Sequence, residues 1–227
     1  MNRKTLKAAF PYTVPVMAGY VFLGFAFGLL MISKDAPLWV PVLMSLAIYS
    51  GALEFAAVPF FFTAPDLIGS FVLGLLLSIR HIFYGIPMLE KYADAGKLKI
   101  PMIFWLTDET FSISSTIDAP EDVDKTGFYA WIGLLDYLYW ACGTTAGALF
   151  GNVVKLNLAG LDFALTALFI VLFIEQFKGR EGKFGGMCGI GATVIALAIA
   201  ESGNMVPVAL VIILTALLVG RRWIDHE

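Results

Sequence analysis

Long apolar stretches separated by short polar connections are the dominant pattern along this chain. A helix needs about 20 apolar residues to cross a hydrocarbon core roughly 30 Å thick. Stretches of this kind predict membrane-crossing helices over 8–33, 38–62, 67–89, 127–150 and 160–177, with shorter ones over 184–201 and 205–220. The pattern therefore predicts an all-α integral membrane protein, a polytopic bundle of seven or eight transmembrane segments in a single domain over 1–227.

An eighth stretch, 101–117, decides between these two numbers. It starts apolar but contains Asp108 and Glu109, and on a helix these acids share a polar stripe with the serines and threonine that follow. Such a stripe can line a cavity or a substrate path. The alternative is a partly submerged amphipathic helix that leads into the acidic loop 118–124. Counting Lys and Arg residues on each side does not choose between eight and seven crossings.

The composition supports the membrane assignment. Apolar residues make up 59% of the chain and charged residues 15%, with a mean hydropathy of +0.82. A soluble surface cannot be built from so few polar residues. The net charge of -3 and the absence of a large basic patch argue against nucleic-acid binding. Cys142 and Cys188 lie within apolar stretches, where they are expected to be packing residues rather than a disulfide.

A weak internal repeat runs beneath the hydropathy. Tyr20, Gly24 and Gly28 have the spacing Y-x-x-x-G-x-x-x-G, which returns at Tyr139, Gly143 and Gly147. This predicts a duplication with units at about 1–120 and 121–227. Locally, glycines at this spacing favour close helix packing, and the small residues over 143–148 are also a candidate surface for a partner helix.

Polar residues inside the apolar stretches are the candidates for chemistry. Arg80 is always charged, so within a bilayer it needs a carboxylate, backbone carbonyls or an anionic ligand. An ion pair with Glu54 or Asp108 and a bound ligand are both open at this point. His81 is suited either to proton transfer or to hydrogen-bonded packing. A carboxyl group such as Glu54, Asp108 or Glu109 is a plausible carrier for a coupling proton.

Three motifs resemble, in order and spacing, those of the AzlC family, the large subunits of bacterial branched-chain amino acid exporters. They are S-G-A-L-E-F over 50–55, R-H-I-F-Y-G over 80–85 and L-T-D-E-T-F over 106–111. The resemblance covers essentially the whole chain. This sequence has Glu54 where the family usually has Gln, and Ser78 where it usually has Asn, so both departures concern polar positions of the expected site.

The resemblance implies a multi-pass transporter of the inner membrane, driven by the proton gradient, that exports leucine, isoleucine, valine and sometimes methionine. It also implies a hetero-oligomer with a small AzlD-type membrane subunit. No enzymatic activity, cofactor or metal is expected, because the sequence contains no G-x-S-x-G, H-E-x-x-H or C-x-x-C motif. A channel, or a transporter for another small zwitterionic or anionic solute, is the alternative. The expected substrate-binding or coupling residues are Glu54, Arg80, His81, Tyr84, Asp108 and Glu109, followed by Ser50, Ser78, Thr107 and Asp136.

Overall fold

A computed structural model describes residues 2–62, 67–154 and 180–199, together with 170, 174 and a few positions between 208 and 216. Every regular element in this part of the chain is a helix, as predicted. The expected segments over 160–177 and 205–220 fall almost entirely outside the described residues. The number of crossings therefore stays a prediction.

Nine helices are described, with a single 3-10 turn at Gly96–Leu98. They are α1 (Arg3–Ser33), α2 (Trp39–Ala47), α3 (Gly51–Phe62), α4 (Leu67–Ser78), α5 (Arg80–Lys91), α6 (Lys99–Phe104), α7 (Asp108–Thr116), α8 (Lys125–Val153) and α9 (Arg180–Ile199).

The two long helices begin at well-formed caps. The Asn2 side chain accepts a hydrogen bond from the Thr5 N–H at the start of α1, and the Asp124 side chain accepts one from the Gly127 N–H at the start of α8. With 31 residues, α1 is about 46 Å long. Among the described residues it is the one helix that is both long and apolar enough to cross a membrane, judged by length and composition. Gly51–Phe62 and Gly185–Ile199 are shorter apolar helices.

The helices α1 and α8 run in the same direction and pack along their whole length. Thr5 lies beside Gly127 near one end, and Ile32 lies beside Gly151 near the other. Between them, a methyl group added at Gly24 would lie 2.8 Å from the Trp140 carbonyl oxygen. The predicted close packing by these glycines is therefore confirmed.

The two copies of the repeated motif pack directly against each other. A methyl group added at Gly143, in the second copy, would lie 2.7 Å from the carbonyl oxygen of Val21 in α1. Gly143, Thr144, Gly147 and Ala148 are all buried. The expectation that 143–148 offers a partner surface is wrong for these four residues, because α1 already covers them.

Three predicted continuous segments are broken near their middles. The stretch 38–62 is interrupted at 48–50, 67–89 at Ile79 and 101–117 at 105–107. At the first break Tyr49 has φ +46, a left-handed conformation that costs a non-glycine residue about 1–2 kcal/mol. Broken helices of this kind expose backbone groups inside a membrane protein, and they occur where a binding site or cavity uses them.

The chain divides into two compact units. One comprises residues 1–66 with 77–157, and the other comprises 67–76 with 158–227. This division by packing differs from the predicted repeats, which remain a prediction. In the first unit, α1, α5, α6 and α8 share a core that includes Ala9, Met88, Met102, Phe128 and Tyr129. In the second unit, α9 buries Ala192 and Ala196.

Candidate functional site

The candidate site lies halfway along α1 and α8, where Tyr20 and Trp140 meet. Their rings are in an edge-to-face arrangement with centroids 5.6 Å apart. The Tyr20 hydroxyl lies 2.7 Å from Thr107 Oγ1 and donates a hydrogen bond of 2.6 Å to Glu109 Oε2. This single hydroxyl therefore links α1 to the break that precedes α7.

Thr107 organises the start of α7. Its hydroxyl oxygen accepts from the Thr110 N–H at 3.3 Å, which caps the helix, and its hydroxyl donates to Thr110 Oγ1 at 3.1 Å. Thr110 in turn donates to Asp136 Oδ2 on α8 at 2.8 Å. Side chains from three helices thus form one connected polar network in the interior of the first unit.

Asp136 is the least satisfied member of this network. The residue is fully buried, and its second carboxyl oxygen, Oδ1, has no hydrogen-bond partner among the described residues. The hydroxyl of Tyr49, at the break between α2 and α3, is also buried and adjoins the hydroxyls of Thr107 and Thr110. It lies within electrostatic range of Asp136 and Glu109. Buried polar atoms of this kind are rare, and they are expected where a ligand, ion or water completes the site.

Glu54 occupies the other side of the Trp140 ring. It is fully buried in the first turn of α3, and both of its carboxyl oxygens accept from Trp140 Nε1, at 3.1 and 3.2 Å. The Ser50 N–H donates to the same carboxyl at 3.1 Å. Gly51 permits this approach, because a methyl group there would lie 2.8 Å from the Trp140 ring. Unlike Asp136, Glu54 therefore has a partner for each oxygen.

Apolar rings adjoin Glu54 and Trp140. Phe27 and Phe55 pack edge to face at 5.3 Å, and each lies 6.5 Å from the Trp140 ring. Together these three side chains give the polar site an aromatic wall on the α3 side. Aromatic walls with a few fixed polar groups are typical of small-molecule sites.

The structure gathers four of the predicted site residues, Glu54, Thr107, Glu109 and Asp136, around Tyr20 and Trp140. Ser50 contributes its backbone N–H. Asp108 lies half-buried in the first turn of α7. Ion pairing with Arg80 was one expectation for Glu54, but the partners described for that carboxyl are Trp140 and Ser50.

A second group of predicted residues lies around the start of α5. His81 Nδ1 is 3.1 Å from the Ser78 carbonyl oxygen, and the His81 ring contacts Tyr84 at 5.9 Å. Tyr84 stacks on Phe111 of α7 at 4.8 Å, which connects this group to the helix that carries Glu109. The side chain of Arg80 lies outside the described part of the structure, so its predicted role stays a prediction.

Four residues of the site are not identified by the sequence analysis, namely Tyr20, Tyr49, Thr110 and Trp140. Tyr20 opens the repeated glycine motif, and Trp140 stands four residues after Asp136, on the same face of α8. These spacings were the available signals. They become informative only once α1 and α8 are known to pack together.

Known proteins similar to this chain share the region that carries the site. Residues 15–154 match the family model described as AzlC protein. The chain is 41% identical to the branched-chain amino acid transport protein AzlC of Bacillus subtilis (strain 168), over 98% of this chain and 89% of that protein. It is 38% identical to an uncharacterized membrane protein of Haemophilus influenzae, over 85% and 80% of the two chains. The inner membrane protein YgaZ of Escherichia coli (strain K12) is 26% identical, over 82% and 77%. No solved structure matches the chain.

Proposed function

Because the chain belongs to the AzlC family of membrane proteins, we propose that it exports branched-chain amino acids across the inner membrane. Leucine, isoleucine and valine are the proposed substrates, with methionine as a further candidate, and the proton gradient is the proposed driving force. The transport named for the Bacillus relative supports the substrate class. Relatives named as membrane and inner membrane proteins support the location.

The observation that carries the proposal is the Oδ1 carboxyl oxygen of Asp136, which has no hydrogen-bond partner in the described part of the structure. A buried carboxylate needs a positive partner, and the ammonium group of an amino acid is one. The breaks beside it, at 48–50 and 105–107, supply backbone groups for the rest of the polar end of a substrate. The rings of Phe27, Phe55 and Trp140 are suited to a branched aliphatic side chain.

Proton coupling follows from competition for the same carboxylate. A proton and a substrate ammonium are alternative positive partners for Asp136, because each neutralises the one buried charge. Binding of one would then accompany release of the other. This exchange would allow an inward proton gradient to drive amino acids outward. Arg80 is the proposed partner of the substrate carboxylate.

We further propose that the working transporter is a hetero-oligomer with a small AzlD-type membrane subunit. This partner is implied by the family, and the exposed apolar faces of the helices offer surfaces for it. Phe22 and Phe71, for example, expose 69% of their area. In a membrane such side chains contact lipid or another protein.

The test is efflux of preloaded radiolabelled leucine from cells that produce the chain with and without its candidate small subunit. Wild-type efflux is expected only with both proteins. Asp136→Asn should abolish it, because an amide cannot neutralise an ammonium, whereas the matched change Asp94→Asn on an exposed turn should leave it unchanged. Normal efflux by Asp136→Asn would reject the assigned role. Flux that does not saturate and ignores the proton gradient would favour a channel.

A further inference from the structure

Three hydroxyl groups form an unbroken line between two carboxyl groups. Glu109 Oε2 lies 2.6 Å from the Tyr20 hydroxyl, which lies 2.7 Å from Thr107 Oγ1. Thr107 lies 3.1 Å from Thr110 Oγ1, which lies 2.8 Å from Asp136 Oδ2. We propose that this line, the hydroxyl chain Tyr20–Thr107–Thr110, transfers a proton between Glu109 and Asp136.

Counting protons shows why the two carboxyls act together. Each hydroxyl has one proton to donate, so the four hydrogen bonds of the line need four protons, and the three hydroxyls supply only three. The fourth must come from one of the two carboxyls. With both carboxyls ionised, Tyr20 donates to Glu109 and Thr107 and Thr110 donate toward Asp136, so the Tyr20–Thr107 contact has no proton. All four bonds are made when Glu109 and Asp136 hold one proton between them, and all then point in one direction.

Transfer then reverses the direction of every bond. When protonated Glu109 gives its proton to Tyr20, Tyr20 passes its own to Thr107, Thr107 to Thr110, and Thr110 to the Asp136 carboxylate. One O–H bond breaks and one forms at each hydroxyl. The net result is the movement of one proton from Glu109 to Asp136, with no other reactant.

The two carboxyl groups at the ends of the hydroxyl chain differ in exposure, as a proton path requires. Glu109 is exposed, whereas Asp136 is fully buried. The other titratable side chains that face this region are Tyr49, at the break after α2, and Asp108, beside Glu109. Glu54 lies behind Trp140 and bonds to that ring instead. The hydroxyl chain is thus the bonded connection from the surface to Asp136 in this part of the structure.

This inference rests on the proposed function where it concerns transport, because the proton would leave Asp136 as the substrate ammonium arrives. Exchange of labelled for unlabelled amino acid needs no net proton movement, whereas accumulation driven by a pH gradient does. In liposomes containing the chain with its candidate small subunit, Thr110→Val and Tyr20→Phe should slow gradient-driven accumulation at least tenfold more than they slow exchange. Thr110→Ser should restore accumulation. Thr145→Val is the matched control, since the hydrogen bond described for the Thr145 hydroxyl is made to its own helix, at the Ala141 carbonyl oxygen.

A second measurement needs no transport. Infrared spectra of the purified protein at neutral pH should show a protonated carboxyl band that changes in Thr110→Val and Glu109→Gln but not in Thr145→Val. Identical bands in all variants, or gradient-driven accumulation at the wild-type rate in Thr110→Val, would overturn the hydroxyl chain. Failure of wild-type exchange would count against the proposed function. The infrared spectra would then be the test of proton transfer along the hydroxyl chain.

The path of α6 and α7 supports an independent inference about how the chain enters the membrane. α6 starts in the core that contains Phe128 and Tyr129 of α8, and its last residue, Phe104, reaches Tyr137 at 5.8 Å. α7 then returns, since the Ile117 carbonyl oxygen accepts from the Tyr129 hydroxyl at 3.0 Å. The two helices thus leave one end of α8, reach its middle and come back.

α2 and α3 make the corresponding excursion from the other end. α2 follows the carboxyl end of α1, and its Leu46 carbonyl oxygen accepts from the Tyr137 hydroxyl at 2.9 Å. After the left-handed turn at Tyr49, α3 contacts Trp140 through Glu54 and then Phe27 through Phe55. The contacts therefore move back toward the end at which α2 began. We infer that α2–α3 and α6–α7 are re-entrant hairpins that enter from opposite faces and meet at the candidate site.

Basic residues give the orientation. The Lys4 ammonium bonds to Asp122 near the start of α8, and that of Lys91 bonds to the Ser114 carbonyl and to Asp118 near the end of α7. These contacts place one set of basic residues at a single end of the first unit, namely Arg3, Lys4, Lys7, Lys91, Lys97, Lys99 and Lys125. Lys34 lies at the other end, after α1. Because positive residues concentrate on the cytoplasmic side, the amino-terminal end is cytoplasmic.

Thiol labelling tests this arrangement without reference to transport. In a background with Cys142→Ser and Cys188→Ser, an impermeant thiol reagent should label Ala36→Cys in intact cells. It should label Lys97→Cys and Glu121→Cys only after permeabilisation. A hydrophilic protease site inserted after Phe62 should be cut from outside.

Labelling of Lys97→Cys and Glu121→Cys from opposite sides would overturn the α6–α7 hairpin, and cleavage of the inserted protease site only from inside would overturn the α2–α3 hairpin. Labelling of both Lys97→Cys and Glu121→Cys in intact cells would overturn the orientation.

Discussion

The contact between α1 and α8 permits a prediction whose size follows from the structure. Changing Gly24 to Ala places a methyl group 2.8 Å from the Trp140 carbonyl oxygen and 2.9 Å from the Thr144 nitrogen. Ordinary contact begins at 3.4 Å, so the helices must separate by about 0.6 Å. Both obstacles are backbone atoms, which cannot rotate away. Overpacking of this kind costs about 1–3 kcal/mol.

Gly19 is the matched control. It lies on the same helix, and an added methyl group there would meet nothing within 4 Å. Gly19→Ala therefore includes the gain in helix propensity, about 0.8–1 kcal/mol in water, without the clash. The difference between the two variants isolates the clash. At about 2–4 °C per kcal/mol, Gly24→Ala should melt about 2–12 °C below Gly19→Ala.

The assay is thermal unfolding of the detergent-solubilised protein, with the folded fraction monitored by size-exclusion chromatography. Gly143→Ala should behave like Gly24→Ala, since its methyl group would lie 2.7 Å from the Val21 carbonyl oxygen. The melting temperature of the double variant should fall by less than the sum of the two separate decreases, because one separation of the helices relieves both clashes. Equal melting of Gly19→Ala, Gly24→Ala and Gly143→Ala would refute the parallel packing of the repeated motif.

Two further changes test the hydrogen bonds around the site and at the cytoplasmic end proposed for the chain. Trp140→Phe removes the N–H that bonds both oxygens of Glu54. Leaving a buried acceptor without its donor costs about 1–3 kcal/mol, and thermal unfolding should show a smaller loss of stability when Glu54→Gln is already present. The hydrogen bond and charge of Lys4 lower the pKa of Asp122. The lowered pKa stabilises the fold above the usual Asp value, and this contribution is lost as pH falls through the folded value. Asp122→Asn should therefore melt below wild type at pH 7 and equal to it in strong acid; a difference that persists in acid would contradict this linkage.

The long helices could be predicted from the sequence, whereas the breaks could not. Residues 8–33 and 127–150 fall within α1 and α8 because each run is long and holds no more than one charged residue. The breaks at 48–50 and 105–107 leave hydropathy almost unchanged, since each covers about three residues and contains an aromatic side chain. A hydropathy pattern therefore predicts that a stretch enters the membrane, but it does not show where the chain turns back.

The charged members of the site could be predicted, but the residues that connect them could not. Glu54, Glu109 and Asp136 are conspicuous because a carboxyl group within an apolar stretch is costly. Tyr20, Thr110 and Trp140 are ordinary residues of membrane helices, and their hydroxyl or N–H groups gain meaning only from partners on other helices. Long-range pairing of this kind is a property of the fold.

The ambiguity in counting positive charges has the same physical origin. The count alternates sides at every predicted crossing, so one stretch that enters and returns on the same face reverses the side given to every later loop. Treating both 38–62 and 101–117 as crossings separates Lys91, Lys97 and Lys99 from Lys4. The observed contacts of Lys91 with Ser114 and of Lys4 with Asp122 bring these residues to one end. With two re-entrant hairpins, seven of the eight described basic residues at the ends of unit 1 lie on one face and Lys34 lies on the other. The positive-inside rule does not choose between seven and eight crossings, but it assigns a single orientation to this arrangement.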